Sequence, residues 1–596
     1  MASYNAAPEL SQAKLASISY LDSCIPPEGA TLSPSRVPEL DHELLVLEEQ
    51  ILLARRRRNA HVSGLYKLPP EVLAIICINL KHVWLDDFGP RLLEDEDEPD
   101  VDPVYVLGWL NITHVCNRLR EVALQLPSLW CDVECHRYPS GFRTAFESRS
   151  GDLPLRYSFD YDELELGQEF DQFESRGHWT RQWLTPTACN RLHCLEIISH
   201  PFFNLGDIAA NFPVLPFVTD CTLVSECLED PVYFDHEEVD LPFASPEQLS
   251  RLVLRGVFPS PSNLVFSSSI THLTLEARQK PHIPTIEKLL DMLSPLLQLQ
   301  YLRLDRVPTE PAQLATTTHL PLPKAFRRLE YLGWMVPFID LLSRIVLPPS
   351  CTINFKEDDL YRRPEGAGKG AADFARLVHT VRAAVAVPDD TPWTALLDSS
   401  AVNIIFGEDR SPRQYSSPAD MPSAARSSSG DILTSLAYSH SLPRTHGHIA
   451  SILDELPLAH LTSLGIGWVD DCPDHDTPEC HLDVVFEKVR ATAPNIRHLG
   501  LQSMPHALDV LKELAKTHVL DDSSTIPSTF PSLQAITFGV DTYVSEEDIA
   551  LVQEALTAVV DTYKLCQRPL HELRIQRQFR SLCPWEAAIG TSVVFV

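Results

Sequence analysis

One short pattern governs what this chain can fold into: an apolar residue, two of any kind, an apolar residue, one of any kind, and a third apolar residue. It recurs nine times, at Leu192/Leu195/Ile197, Leu249/Leu252/Leu254, Ile270/Leu273/Leu275, Leu299/Leu302/Leu304, Leu329/Leu332/Trp334, Leu461/Leu464/Ile466, Ile496/Leu499/Leu501, Leu533/Ile536/Phe538 and Leu570/Leu573/Ile575. A weaker copy stands at Val218/Cys221/Leu223. The last two apolar positions of each copy alternate as a strand with one buried face requires. Early copies follow one another at roughly 20 to 30 residues and late ones at about 37, a period that gives each unit one strand and one return segment. Helices are predicted before three strands. His481 to Ala493 turns Val484, Val485 and Val489 inward, and Pro505 to His518 turns Leu508, Leu511 and Leu514 inward. Ser545 to Cys566 opens on Ser545-Glu546-Glu547-Asp548, an N-cap followed by acids that suit the positive end of the helix dipole.

This pattern resembles the leucine-rich repeat. The resemblance implies an α/β fold over 137–596, an irregular solenoid with a curved parallel sheet and outer helices. The Asn or Cys that follows the strand in that family is absent from most copies, which predicts uneven curvature and long loops. A doubly wound α/β domain is the alternative, but it usually shows a glycine-rich first turn, and none is found. Arg410 to Asp431 is rich in Ser and Pro and is predicted to be a disordered excursion.

A second signal lies nearer the N-terminus. Leu68-Pro69-Pro70-Glu71 is a helix-start signal, because proline is tolerated in a first turn whose amides lack partners. Val72, Leu73, Ile75, Ile76, Ile78 and Leu80 are apolar on nearly all sides, which predicts a helix buried between neighbours. Ile112, Val115, Cys116, Leu119, Val122, Ala123 and Leu126 fall at steps of three and four, which predicts one amphipathic helix ended by Pro127. Leu126-Pro127-Ser128-Leu129-Trp130 closes the segment.

Taken in order, these motifs resemble an F-box, in the form common among F-box-like proteins of mushroom-forming fungi. The resemblance implies a helical module over 61–136 that docks a Skp-type adaptor, and through it a cullin, in an SCF ubiquitin ligase. The positions it assigns to docking are Leu68, Pro69, Val72, Leu73, Trp109, Val115, Cys116, Leu119, Leu126 and Trp130. Two departures stand out: Leu119 replaces the family's Trp, and Asn117 its basic residue. Lys81 to Val106 reads as an insert whose Glu94-Asp95-Glu96-Asp97-Glu98 run is a solvated loop.

At 596 residues the chain is long enough for more than one structural unit. Its net charge of -32 argues against nucleic acid or an anionic membrane as main partner. Fourteen scattered Cys fit a reducing compartment, cytoplasmic or nuclear. No apolar run reaches the ~18 residues of a membrane span, and Met1 to Cys24 lacks a secretory pattern. Residues 1–37, rich in Ala, Ser and Pro, are predicted to be disordered. Over 38–60, Leu40, Leu44, Leu47 and Ile51 follow a heptad for two turns, which predicts a single helix packed on its own protein. Arg55 to Arg58 suits that helix's C-terminal end.

Residues for chemistry are scarce. Gly366-Ala367-Gly368-Lys369-Gly370 lacks the spacing and the Ser or Thr of a phosphate loop. Cys472, His475, Cys480 and His481 match zinc ligands in type but not in spacing, and Cys131, Cys135 and His136 are weaker. No cofactor, metal or catalytic residue is assigned, and the chain reads as a non-enzyme. Outward positions of the predicted strands include Arg251, Arg255, Thr274, Arg303, Asp305, Arg497, Gln502 and Arg574. They suggest a basic stripe for an acidic or phosphorylated protein target. The expectation is a substrate receptor. The alternative is a repeat scaffold whose F-box-like helices only cap it, since solenoids need a polar end.

Overall fold

Parallel pairing between strands distant in sequence organises most of this chain, seen here in a computed structural model. The structure describes residues 16, 19, 23, 33–85, 108–138, 140–161, 176–199, 215–225, 248–277, 283–308, 319–349, 351–357, 370–385, 393–398, 401–406, 434–439, 458–467, 489–501, 504–519, 525–527, 529–538, 546–575 and 592–595. The loops predicted at 86–106, 366–369, 410–431 and 472–481, Gln502, and the disorder predicted over 1–32, apart from residues 16, 19 and 23, lie outside them. The chain divides into two units, Met1–Asp132 with Gly141–Leu153, and Val133–Ser140 with Pro154–Val596.

The first unit holds α1 (Val37–Val62), α2 (Pro70–Leu85), α3 (Ile112–Val115), α4 (Asn117–Leu124) and α5 (Arg143–Arg149). Helix α2 begins on Pro70 and runs five residues into the predicted insert, so Lys81 is helical. It is not buried all round. Leu73, Cys77 and Lys81, four residues apart, face inward, while Val72, Ile75 and Val83 are exposed. The single helix predicted from Ile112 to Leu126 is two. Cys116 is extended (φ -158, ψ 160) and its Sγ accepts from Leu119 N at 3.5 Å, capping α4. Val115 and Thr113 are β-branched and weak helix formers, and a thiol able to serve as a cap stands beside them.

The second unit, with β1 completed from Asp132, contains β1 (Asp132–Glu134), β2 (Leu155–Asp160), β3 (Leu192–Ser199), β4 (Asp220–Ser225), β5 (Arg251–Arg255), β6 (His272–Glu276), β7 (Tyr301–Asp305), β8 (Leu320–Pro321), β9 (Arg328–Gly333), β10 (Ile345–Val346), β11 (Thr352–Glu357), β12 (Trp393–Asp398), β13 (Ala401–Phe406), β14 (Thr434–Ser439), β15 (Leu461–Gly467), β16 (His498–Leu501), β17 (Thr517–Val519), β18 (Thr525–Pro527), β19 (Ala535–Phe538), β20 (Glu572–Ile575) and β21 (Ser592–Phe595). Seventeen of these join one sheet. From β2 through β3, β4, β5, β6, β7, β9 and β11 to β14 the nine strands pair in parallel. Antiparallel β14–β13–β12 pairing follows. Then β12, β15, β16, β19, β20 and β21 pair in parallel again. A three-strand meander thus bridges two parallel runs, which the repeat pattern does not predict. Between strands lie α6 (Arg176–Trp183), α7 (Pro186–Cys189), α8 (Ile286–Leu293), α9 (Met335–Leu342), α10 (Gly370–Ala384), α11 (Met504–Leu514) and α12 (Glu546–Leu565).

Register explains the repeated pattern. Leu195, Cys221, Leu252, Leu273, Leu302, Leu329 and Ile353 stand opposite one another across seven strands. Two residues on, Ile197, Leu223, Leu254, Leu275, Leu304, Tyr331 and Phe355 do the same, all buried. Each such side chain contributes about 1.5–3 kcal/mol on burial. The weak copy at Val218/Cys221/Leu223 is therefore a full member. The copy expected at Leu329/Leu332/Trp334 is displaced by three residues: Phe326, Leu329 and Tyr331 are buried, and Trp334 is 37% exposed. Both triplets fit the apolar spacing, and pairing of Leu329 with Leu302 decides between them. Strands β2 and β11 were not predicted because Pro154 and Ser350 occupy the first apolar position of their copies. The helix predicted over Pro505 to His518 stops at Leu514, and Thr517–Val519 pairs as a strand with β18.

Candidate functional site

Two surfaces merit consideration, one in each unit. In the first, the core sets what remains outside. Trp109, Trp130 and Phe146 pack edge to face, with Trp109–Trp130 centroids 5.1 Å apart and Trp130–Phe146 5.3 Å. Trp130 Nε1 donates to the Ala123 carbonyl at 2.8 Å, which closes the turn at Pro127 against α4. Arg149 lies 4.5 Å from the Trp130 ring centroid. Lys81, nearly buried, donates from Nζ to the Leu129 carbonyl at 3.0 Å and to that of Asp132, and sits over Trp109. Arg118 donates to the Leu68 carbonyl at 2.8 Å, tying the start of α2 to α4.

The ten positions assigned to adaptor docking fall into two sets. Leu73, Trp109, Leu119 and Trp130 are at most 5% exposed and hold the unit together from inside. Pro69, Val72 and Val115 are exposed, and Leu68, Cys116 and Leu126 are half-buried. Ile75 (58% exposed) and Val83 (61%) extend the exposed apolar side of α2 beyond the predicted set. The signal for them was present, since Val72, Ile75 and Val83 lie at helical steps opposite Leu73, Cys77 and Lys81. Apolar residues at nearly every position of the helix hide that face in the sequence.

The second surface is the outward face of the nine-strand run. Its register rows place Arg251 beside His272, Arg303 beside Thr274 and Glu330, and Arg255, Glu276 and Asp305 in one line. The predicted basic stripe is not basic. Between β2 and β11 these rows hold six cations (Arg156, Arg251, Arg255, Arg303, Arg328, Lys356) and six carboxylates (Asp160, Glu196, Asp220, Glu276, Asp305, Glu330). Most pair with each other. Arg255 meets Glu276 at 3.0 Å, Arg303 and Arg306 reach Asp305 at 3.6 and 3.9 Å, and Arg328 bonds Glu330. Arg251 is exposed and has no ion-pair partner among the described residues. Further along the sheet Arg574 donates to Glu572 at 3.0 Å, and Arg497 is exposed just before β16.

Burial shapes the titration of this face. It raises the Asp305 carboxyl above its ordinary range, reinforced by Glu276 and opposed by Arg306 and Arg303. Tyr301 donates to Glu330 at 2.6 Å, and burial followed by that bond pushes its phenol up to about 12. These groups form a paired polar lattice.

Cys131 Sγ donates to the Ser128 carbonyl, Cys135 is buried, and His136 Nδ1 accepts from Asp160 N at 3.2 Å. Among the described residues no three His, Cys, Asp or Glu are grouped to hold an ion. Also among them, no helix is long and apolar enough to cross a membrane. No family model matches the chain, and no curated protein matches it significantly.

Proposed function

We propose that this chain is a non-catalytic substrate receptor: its helical unit docks a Skp-type adaptor and, through it, a cullin, and its sheet region, an irregular leucine-rich-repeat solenoid, holds a protein target for ubiquitination. The observation that carries the reading is the exposed apolar side of α2. Val72, Ile75 and Val83 stand in water on a helix whose other side is fixed by Leu73, Cys77 and Lys81. Soluble proteins rarely leave such groups together without a partner. Pro69 and half-buried Leu68 stand at its head. The reading places the chain in the cytoplasm or nucleus, where such ligases act, with no cofactor.

The target face is charge-balanced rather than basic, which favours a target recognised by interleaved charges over a purely acidic one. Such complementarity serves specificity more than affinity. A scaffold reading draws on a different observation: Leu73, Trp109, Leu119 and Trp130 lie inside the unit.

The test is a pull-down of purified chain with a Skp-type adaptor and cullin, beside Leu68→Ala/Pro69→Ala and Ile75→Glu. Stoichiometric capture lost in both variants is expected. The Leu68 carbonyl that Arg118 binds survives the first variant, so the tie between the start of α2 and α4 is kept. No capture by the intact chain overturns the receptor reading and leaves the scaffold.

A further inference from the structure

Helix α1 is the least covered element of the first unit. Across its 26 residues no described side chain is buried. Val37 is 46% exposed, Leu44 47% and Ile51 53%. An isolated helix of this kind is marginal in water, and exposed leucines give it no tertiary support. The expectation that it packs on its own protein is not met by the described residues.

The helix begins earlier than its sequence suggested, and this lengthens the apolar seam. Val37, Leu40, Leu44, Leu47, Ile51 and Ala54 follow one another at alternating steps of three and four, and Arg58 continues them. From Val37 to Arg58 the seam covers three heptads, within the range at which a coiled coil becomes credible. Charge is sorted along it. Glu39, Asp41, Glu43, Glu48 and Glu49 occupy the first half, and Arg55 to Arg58 the second.

We propose that α1 is a self-association surface whose occupant is α1 of a second copy of this chain, running antiparallel. Charge selects both partner and direction. In an antiparallel pair centred near Glu49, Ile51 of one copy layers against Leu47 of the other, and Leu44 against Ala54. Leu40 then meets the aliphatic stem of Arg58, whose guanidinium reaches water. In that register the flanking positions bring Asp41 opposite Arg55 and Glu43 opposite Arg57, each twice by symmetry. Among the charged flanking residues only Glu48 meets its own kind. A parallel pair would instead set Glu43 against Glu48, so like charges oppose it.

The test is the mass of the full chain by sedimentation equilibrium at micromolar concentration. A dimer is expected, twice the 66.9 kDa chain. Reversing one half of the charge pattern with Asp41→Arg/Glu43→Arg is expected to weaken association about tenfold or more, since two attractive contacts per copy become repulsive. Adding Arg55→Glu/Arg57→Glu to that variant restores opposite charges in the antiparallel register, and the dimer is expected to return. This rescue separates lost pairing from a helix that has merely unfolded. A monomeric intact chain, its helix left for some other partner, overturns the proposal, as does an assembly larger than two. A dimer indifferent to the reversal overturns it as well, because association then uses another surface. Failure of the four-residue swap to restore the dimer overturns the antiparallel pairing.

Discussion

The Lys81 ammonium sits 5.5 Å from the centroid of the Trp109 ring while its Nζ donates to the Leu129 carbonyl at 3.0 Å. One cation thus joins α2, the turn before α3 and the turn that ends on Trp130. An apolar side chain of similar length keeps the packing but takes the ammonium donor from the buried bond to the Leu129 carbonyl oxygen. Each unpaired group costs about 1–3 kcal/mol, offset in part because a buried charge no longer needs desolvation. Lys81→Met is therefore expected to destabilise the helical unit by about 2 kcal/mol. Urea unfolding followed by tryptophan fluorescence measures it, and a loss below about 0.5 kcal/mol would refute the joining role.

The two sides of α2 predict opposite outcomes. Leu73 is fully buried, and truncating it to Ala leaves a cavity costing about 2–5 kcal/mol. Ile75 is 58% exposed, so Ile75→Ala changes stability by less than about 1 kcal/mol. The docking proposal adds that Ile75→Ala weakens adaptor capture although the protein remains folded. Equal losses of stability at the two positions would mean that the exposed side is covered within the protein itself.

Much of the parallel sheet was legible because its buried rows repeat. Leu252, Leu273 and Leu302 stand where spacing placed them, and their neighbours across the sheet are the same positions of adjoining copies. The sequence pattern failed where the spacing admits two phases, as at Phe326 to Trp334. It failed again where one position is not apolar, as at Pro154 and Ser350. The meander from β12 to β14 was not legible at all, because strand direction leaves no trace in an apolar period. In the helical unit, Lys81 falls at the start of the insert that the acidic run at Glu94 to Glu98 marks as solvated, and a lysine is seldom nearly buried. Its position four residues beyond Cys77 was the available clue. On the sheet, the arginines were legible one strand at a time. Glu276, the partner of Arg255, lies on the neighbouring strand and emerges only from register, whereas Arg328 and Glu330 pair along one strand.

Gly256 is held by two constraints at once. Its φ of +69 lies in the left-handed region, which disfavours any residue with a Cβ. A Cβ built there would also stand 2.4 Å from the Ser225 carbonyl oxygen, on the backbone of β4. Backbone cannot swing aside as a side chain can, and Gly256 N already donates to the Glu276 carbonyl at 2.7 Å. Gly256→Ala is expected to cost at least about 2 kcal/mol, the left-handed penalty plus the clash. Thermal unfolding of the variant measures this, and an unchanged midpoint would mean that the two strands part easily at that turn.

The last expectation concerns acid. Glu287 lies in the first turn of α8, where Thr285 caps Lys288 N, and it meets Arg344 at 2.9 Å. Its own backbone amide is the largest of the influences that hold its carboxyl below the usual range, and Arg344 adds to it. A carboxylate depressed in the folded state contributes stability above its ordinary value, and that contribution fades as pH falls through the folded value. Arg344 is itself 7% exposed, so a protonated Glu287 leaves a nearly buried guanidinium with a weaker partner. Wild type should therefore exceed Glu287→Gln in stability at pH 7, with the difference shrinking as pH drops below about 4. Denaturant midpoints of both proteins at pH 7 and pH 3 decide it. A difference that is the same at both values would mean that Glu287 acts through packing and not through its charge.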